Sequence, residues 1–297
     1  MSEAPPDLLV ETLGVETRAW QYGDPDGAPL VLVHGFRGDH HGLEGLARGL
    51  AGRLPGLRAI VPDLPGFGET PALRAPDGGP REHDLDRYGE WLRAFARAVA
   101  PDGSAILGHS FGSLVVANSL AQGFEPAAVV LVNPISAPAL EGPQALLTRL
   151  AIAYYRAADL LPERPARALL GNPLIVRAMS EVMAKTGDRE LRGWIHEQHD
   201  RYFSRFSDTA TLLQAFRASV SHTVVDYAEA FARPTLLVAG DRDDITPLSE
   251  QLKLQRRIPG SRLRVVPGVG HLVHYEAVDD ATAEIAEFLA AVAGERA

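Results

Sequence analysis

Ser110 is the residue of this chain best placed for covalent chemistry. It sits in Gly108-His109-Ser110-Phe111-Gly112, directly after a short apolar run and directly before a helix-forming stretch. A sharp strand-to-helix turn at that point thrusts the hydroxyl out, and the glycines two positions to either side let neighbouring backbone pass closely. A serine held this way can attack an activated carbonyl through a covalent intermediate. The chain has no cysteine. That excludes disulfides, thiolate metal sites and a thiol nucleophile, so covalent chemistry must use oxygen or nitrogen.

The stretch from Phe111 onward is a helix candidate, and the free N–H groups at a helix start favour a developing negative charge. The Phe111 amide is therefore one candidate oxyanion donor. A second comes from the loop His34-Gly35-Phe36-Arg37-Gly38-Asp39, where Gly35 frees the backbone to turn the Phe36 amide inward. His34 and His109 read as uncharged hydrogen-bonding supports, because the chemistry needs one base. The competing reading of Ser110 is a plain helix cap, a common use of serine.

A serine at such a turn needs a sheet behind it. Short apolar runs rich in β-branched residues recur at 30–33, 59–61, 105–107, 128–132, 235–238 and 263–266. Helical patterns follow at 43–54, 85–99, 111–121, 248–257 and 281–292. This alternation predicts an α/β fold with a mostly parallel sheet flanked by helices. Residues 8–20 mix polar and apolar positions around Gly14 and read as a hairpin at the sheet edge. Between Pro134 and Arg233 the rhythm changes to helix formers and aromatics, with no convincing strand. The strand pattern resumes at Pro234, so a helical insertion interrupts one sheet. The expected division is a core at 1–133, an insertion at 134–233 and a second part of the core at 234–297.

Five motifs occur in an order similar to one known family: His34-Gly35-Phe36, Asp63-Leu64-Pro65-Gly66-Phe67-Gly68, Gly108 to Gly112, Asp241-Arg242-Asp243 and Gly270-His271. On these the chain resembles the α/β-hydrolase family over both halves of the core, with the insertion where that family often carries a helical cap. The resemblance implies a triad in the order Ser, acid, His, with the acid after a late strand. Asp243 fits the acid, with Asp241 and Asp244 as rivals in the same loop. Two histidines follow that acid, and His271, after the Gly268-Val269-Gly270 turn, matches the base better than His274. The implied activity is a serine hydrolase of the esterase type, acting on a small acyl substrate without a cofactor. Thioesterases, amidases, C–C hydrolases, lyases and perhydrolases of the same fold also keep a serine. Haloalkane dehalogenases and epoxide hydrolases place an Asp where this chain has Ser110. A non-catalytic binding module, the reading from another class, would ordinarily have a broken triad.

The remaining features have blander readings. A net charge of −9 argues against a nucleic-acid surface. The opening MSEAPPDLLVETLG lacks a basic start followed by an apolar stretch, and no apolar run approaches about 18 residues, so a cytoplasmic protein with no transmembrane segment is expected. His40-His41, His196-x-x-His199 and His271-x-x-His274 invite a metal, yet His-x-His-x-Asp-His is absent around His34 to His41, and no metal is assigned. Arg37 reads as solvent-facing or ion-paired. Tyr154, Trp194 and Tyr202 read as aromatics packing on the core below, and none is named as a binding residue.

Overall fold

A computed structural model describes residues 6–75, 77–138 and 145–295. Eight strands form one sheet in the order β1-β2-β4-β3-β5-β6-β7-β8. They are β1 (Leu8–Thr12), β2 (Val15–Gly23), β3 (Ala28–Val33), β4 (Leu57–Pro62), β5 (Ala105–His109), β6 (Val129–Val132), β7 (Thr235–Gly240) and β8 (Arg262–Val266). The β1–β2 hairpin runs antiparallel at one edge, and every pair from β4 to β8 is parallel.

The central strands are short apolar runs because both of their faces are covered. Val31 and Val33 of β3 join one core cluster, with Trp91 and Phe95 of α2 (Leu85–Val99) and Leu114 and Val115 of α3 (Phe111–Ala121). Leu30 and Leu32 join the other, with Leu43, Leu46 and Leu50 of α1 (His40–Arg53) and Ile285 and Phe288 of α11 (Val278–Gly294). Successive strand residues thus feed opposite layers, as a period of two requires. Helix α3 lies buried along almost its whole length, which explains why it is apolar on all sides.

Between β6 and β7 run α4 (Ala145–Asp159), α5 (Glu163–Leu170), α6 (Pro173–Met183), α7 (Arg189–Tyr202) and α8 (Thr209–Ser221), then a 3-10 segment (Val224–Ala230). The side chains of Asn172, Asp188 and Asp208 cap α6, α7 and α8. After β7 come α9 (Leu248–Arg257) and the short α10 (Val273–Glu276).

Several element boundaries shift by one to three residues from the sequence pattern, and two helical differences have a plain cause. Helix α1 begins at His40, ahead of its first apolar position, because Asp39 accepts a hydrogen bond from the His41 amide as N-cap. Helix α10 is one turn long, too short to leave a periodic signal. Among the described residues, no helix is long and apolar enough to cross a membrane.

Candidate active site

The pairings Val33↔Gly108, His109↔Val132 and Val132↔Val238 align the carboxyl ends of β3, β5, β6 and β7. The loops leaving those ends meet at one sheet edge, where open α/β sheets bind ligands. Ser110 bridges β5 and α3 with φ +52° and ψ −118°, a strained conformation for a residue with a side chain. Its hydroxyl makes no cap hydrogen bond to α3, so the helix-cap reading fails. The flanking glycines are needed for closeness: a Cβ on Gly112 would lie 2.2 Å from the Val33 carbonyl oxygen, and one on Gly108 would lie 2.6 Å from that of Gly112.

The structure brings Ser110, His271 and Asp243 into a chain. Ser110 Oγ lies 2.8 Å from His271 Nε2, and His271 Nδ1 lies 2.8 Å from Asp243 Oδ2. A carboxylate only accepts, so in neutral His271 the proton sits on Nδ1, leaving Nε2 to accept from the serine. Asp243 is the acidic residue of its loop that reaches the imidazole. Asp241 instead accepts from the Gly268 amide, and Asp244 pairs with Lys185 at 2.6 Å.

Asp243 is buried and heavily bonded. Its Oδ1 accepts from the Ile245 and Thr246 amides, and its Oδ2 from Thr246 Oγ1 and Asn133 Nδ2. Burial alone would raise its pKa, but the facing His271 and these hydrogen bonds outweigh burial and hold it down to about 2. Asn133 is a participant that sequence reasoning missed. It follows β6 with φ +45°, and a lone Asn after a strand carries no signal of its partner.

Burial lowers the pKa of both flanking histidines, His34 and His109. His34 donates from Nδ1 to the Gly35 carbonyl and accepts at Nε2 from the Leu64 amide, and burial lowers its pKa. His109 is pushed down to about 3, by burial first and then by its proximity to His271. Asp63 accepts from the His40 and Glu69 amides and from His40 Nδ1, so the Asp63–Gly68 motif shapes a turn. Gly35 lies against Ser110, since a Cβ there would come within 3.3 Å of Ser110 Cβ. The Phe36 amide donates to no protein group among the described residues. The Phe111 amide opens α3 and has no partner within its own helix.

Asp39, His40 and His41 place one ligand-type atom each within 4.8 Å of one another. Those groups already serve as a helix cap and as hydrogen bonds to Asp63 and within the trio.

A cavity of about 710 Å³ lies over Ser110 and His271. The strand-end side contributes Phe36, Phe111 at the start of α3 and Ile135, and the α4–α8 segment contributes Tyr154, Tyr155, Ile175, Met179, Phe203 and Phe216. Aromatics of the insertion therefore wall the cavity, beyond the packing role read from the sequence. The fates of individual rings depend on helix docking, which spacing does not reveal. Trp194 is half exposed against Tyr275, and Tyr202 stacks on His41. Arg37 needs a correction as well. It is not solvent-facing, being 1% exposed, and it pairs with no carboxylate among the described residues: its guanidinium donates to Tyr155 Oη, the Phe203 and Leu170 carbonyls and Ser204 Oγ.

A sheet edge presenting a serine, a histidine and a carboxylate from loops after β5, β8 and β7 defines a hydrolase of the α/β class. Residues 30–287 match the alpha/beta hydrolase family, and the chain belongs to it. It is 28% identical over 290 residues to the dihydrolipoyllysine-residue acetyltransferase component of the acetoin cleaving system of Pseudomonas putida, covering 97% of this chain and 70% of that protein. It is 25% identical over 320 residues to epoxide hydrolase A of Mycobacterium tuberculosis, covering 96% of this chain and 98% of that protein. A thermophilic esterase from Thermogutta terrifontis shares the fold with a TM-score of 0.74 at 23% identity, covering 96% of this chain and 97% of that one.

Proposed function

We propose that the protein is a serine hydrolase cleaving a carboxylic ester, with Ser110 as nucleophile, His271 as general base and Asp243 as the acid that orients it. The observation that carries this reading is the chain of two 2.8 Å hydrogen bonds from Ser110 Oγ through His271 to Asp243. His271 takes the hydroxyl proton as Ser110 Oγ bonds to the carbonyl carbon, and Asp243 steadies the imidazolium. The Phe36 and Phe111 amides hold the oxyanion, each such donor contributing about 10²-fold to 10³-fold in rate. The tetrahedral intermediate collapses, the C–O bond to the alcohol breaks, and His271 returns its proton to the departing oxygen. Water activated by the same imidazole then attacks the acyl-serine ester and releases the acid. Helices α4 to α8, within residues 134–233, act as a cap that walls the acyl cavity and excludes water.

The epoxide hydrolase relative suggests a second bond type, which Ser110 argues against. Attack by a hydroxyl on an epoxide carbon leaves a serine ether with no carbonyl for water to enter, so the enzyme would not turn over. The test is hydrolysis of a p-nitrophenyl ester chain-length series by the native protein and by Ser110→Ala. Turnover lost in the variant is the expected result. Equal rates in both, or none by either, would overturn ester hydrolysis at Ser110.

A further inference from the structure

Arg37 follows the proposed oxyanion donor Phe36 by one residue, and all its side-chain partners lie outside the strand-edge loops. Nε donates to the Phe203 carbonyl at 2.9 Å and Nη2 to the Leu170 carbonyl at 2.8 Å. Nη1 donates to Tyr155 Oη at 3.2 Å, and Nη2 also to Ser204 Oγ at 3.3 Å. The guanidinium lies 4.9 Å from the Phe203 ring centroid. Leu170 ends α5 and Phe203 caps the end of α7, so two helix C-termini turn their partial negative charge toward the cation. None of its hydrogen-bond partners among the described residues is a carboxylate.

The backbone at this point is under strain. Arg37 has φ +62°, a left-handed conformation costly for a residue with a side chain. The Gly38 amide donates to the Gly35 carbonyl at 3.1 Å, closing a four-residue turn with Phe36 second and Arg37 third. Glycine is the usual residue at a left-handed third position. The bonds that hold an arginine there are those its guanidinium makes to the helices, and lifting the helices would strip a buried cation of its acceptors.

We propose that Arg37 is a positioning residue that couples the docking of helices α4, α5 and α7 to the β3–α1 turn, so that the Phe36 amide is held at Ser110 with the helices closed. The inference rests on the serine-hydrolase reading. Closure over substrate and completion of the oxyanion hole are then one event. A loop tuned this way matters at the transition state, because displacing a donor by about 1 Å costs on the order of a hundredfold in rate.

The test compares native protein with Arg37→Gln and Tyr155→Phe on a p-nitrophenyl ester. It also measures the affinity of each for phenylboronic acid, which adds to a nucleophilic serine as a tetrahedral anion. Arg37→Gln is expected to lower kcat by about tenfold to a hundredfold with KM within about threefold, and to weaken boronate binding in step. Tyr155→Phe is expected to lower kcat a few-fold, with no further loss when added to Arg37→Gln. Should Arg37→Gln not fold, Tyr155→Phe and Ser204→Ala carry the same prediction. A variant that loses only thermal stability while its kcat and boronate affinity stay native would overturn the coupling and leave the serine hydrolase intact. Native protein whose Ser110 fails to react with a fluorophosphonate would overturn the underlying reading, and the coupling with it.

Discussion

The strand-edge loops and the α4–α8 helices face each other across one cavity and are built on different principles. On the loop side, the proposed catalytic groups are fixed by named hydrogen bonds and, at Ser110, by a strained turn packed closely against its neighbours. Asp243 accepts from five donors, and Ser110 sits at φ +52° between two glycines with no room for a Cβ. On the helix side, the contribution is mostly apolar surface, with Ile175, Met179 and Phe216 among its members. Under the proposed function, rigid polar geometry on one wall and apolar contact on the other divide the work into chemistry and selection. Arg37 crosses between them.

The largest expected effect is on the loop side. Ser110→Ala or His271→Ala should lower kcat by at least about 10⁴-fold with little change in KM, because these groups act as a unit. Asp243→Asn should fall almost as far, about 10³-fold to 10⁴-fold, through loss of the correct imidazole tautomer. Steady-state kinetics of purified variants checks all three, and a loss under tenfold would remove the residue from the proposed triad.

The turn around Ser110 should fail next. Gly112→Ala forces a methyl against the Val33 carbonyl, which cannot move without disturbing β3. A loss of about 3 kcal/mol is expected, within the usual range for overpacking, and urea denaturation measures it.

The seam between the two walls should carry the pH dependence of stability. Burial first, then neighbouring histidines, pushes His199 down to about 4 and His274 well below its ordinary value, and His109 is down at about 3. A histidine whose folded pKa is lowered leaves the unfolded chain with more protons below pH 6.5. Stability is therefore full above that pH and is lost as pH falls toward 4. Each such group contributes at most about 1.4 kcal/mol per pH unit in the window between its folded and unfolded pKa values. Asp243 adds a later loss, as pH falls from its unfolded value of 3.8 toward about 2. Denaturation midpoints should fall steadily from pH 7 to 4.5, and His199→Asn should flatten that slope by about one proton.

The smallest effect belongs to the apolar wall. Phe216→Ala enlarges the cavity beside Phe36 and should shift the preferred acyl chain by a few carbons while changing the best kcat/KM by less than about tenfold. A chain-length series reads this, and a loss as deep as the triad variants would give that wall a part in the chemistry.

The same contrast explains what the sequence made legible. Ser110, His271 and the proposed oxyanion amides stood out because glycines and strand ends bracket them at fixed spacing. The central strands stood out because burial on both faces makes them continuous apolar runs. Asn133 and Arg37 did not, since a side chain that works through tertiary partners leaves no local pattern. The cavity-lining rings could not be told from Trp194, which is half exposed, because helical spacing shows a face but not what it meets. Arg37 looked solvent-facing for a related reason: its acceptors are carbonyls and hydroxyls about 120 to 170 positions away.

The most direct test of the account is the mass of the protein caught during turnover. Acid quenching after mixing with a p-nitrophenyl ester, followed by peptide mapping, should show one acyl group on the peptide containing Ser110 and none in Ser110→Ala. An acyl group on another residue, or ester turnover that persists in Ser110→Ala, would contradict it.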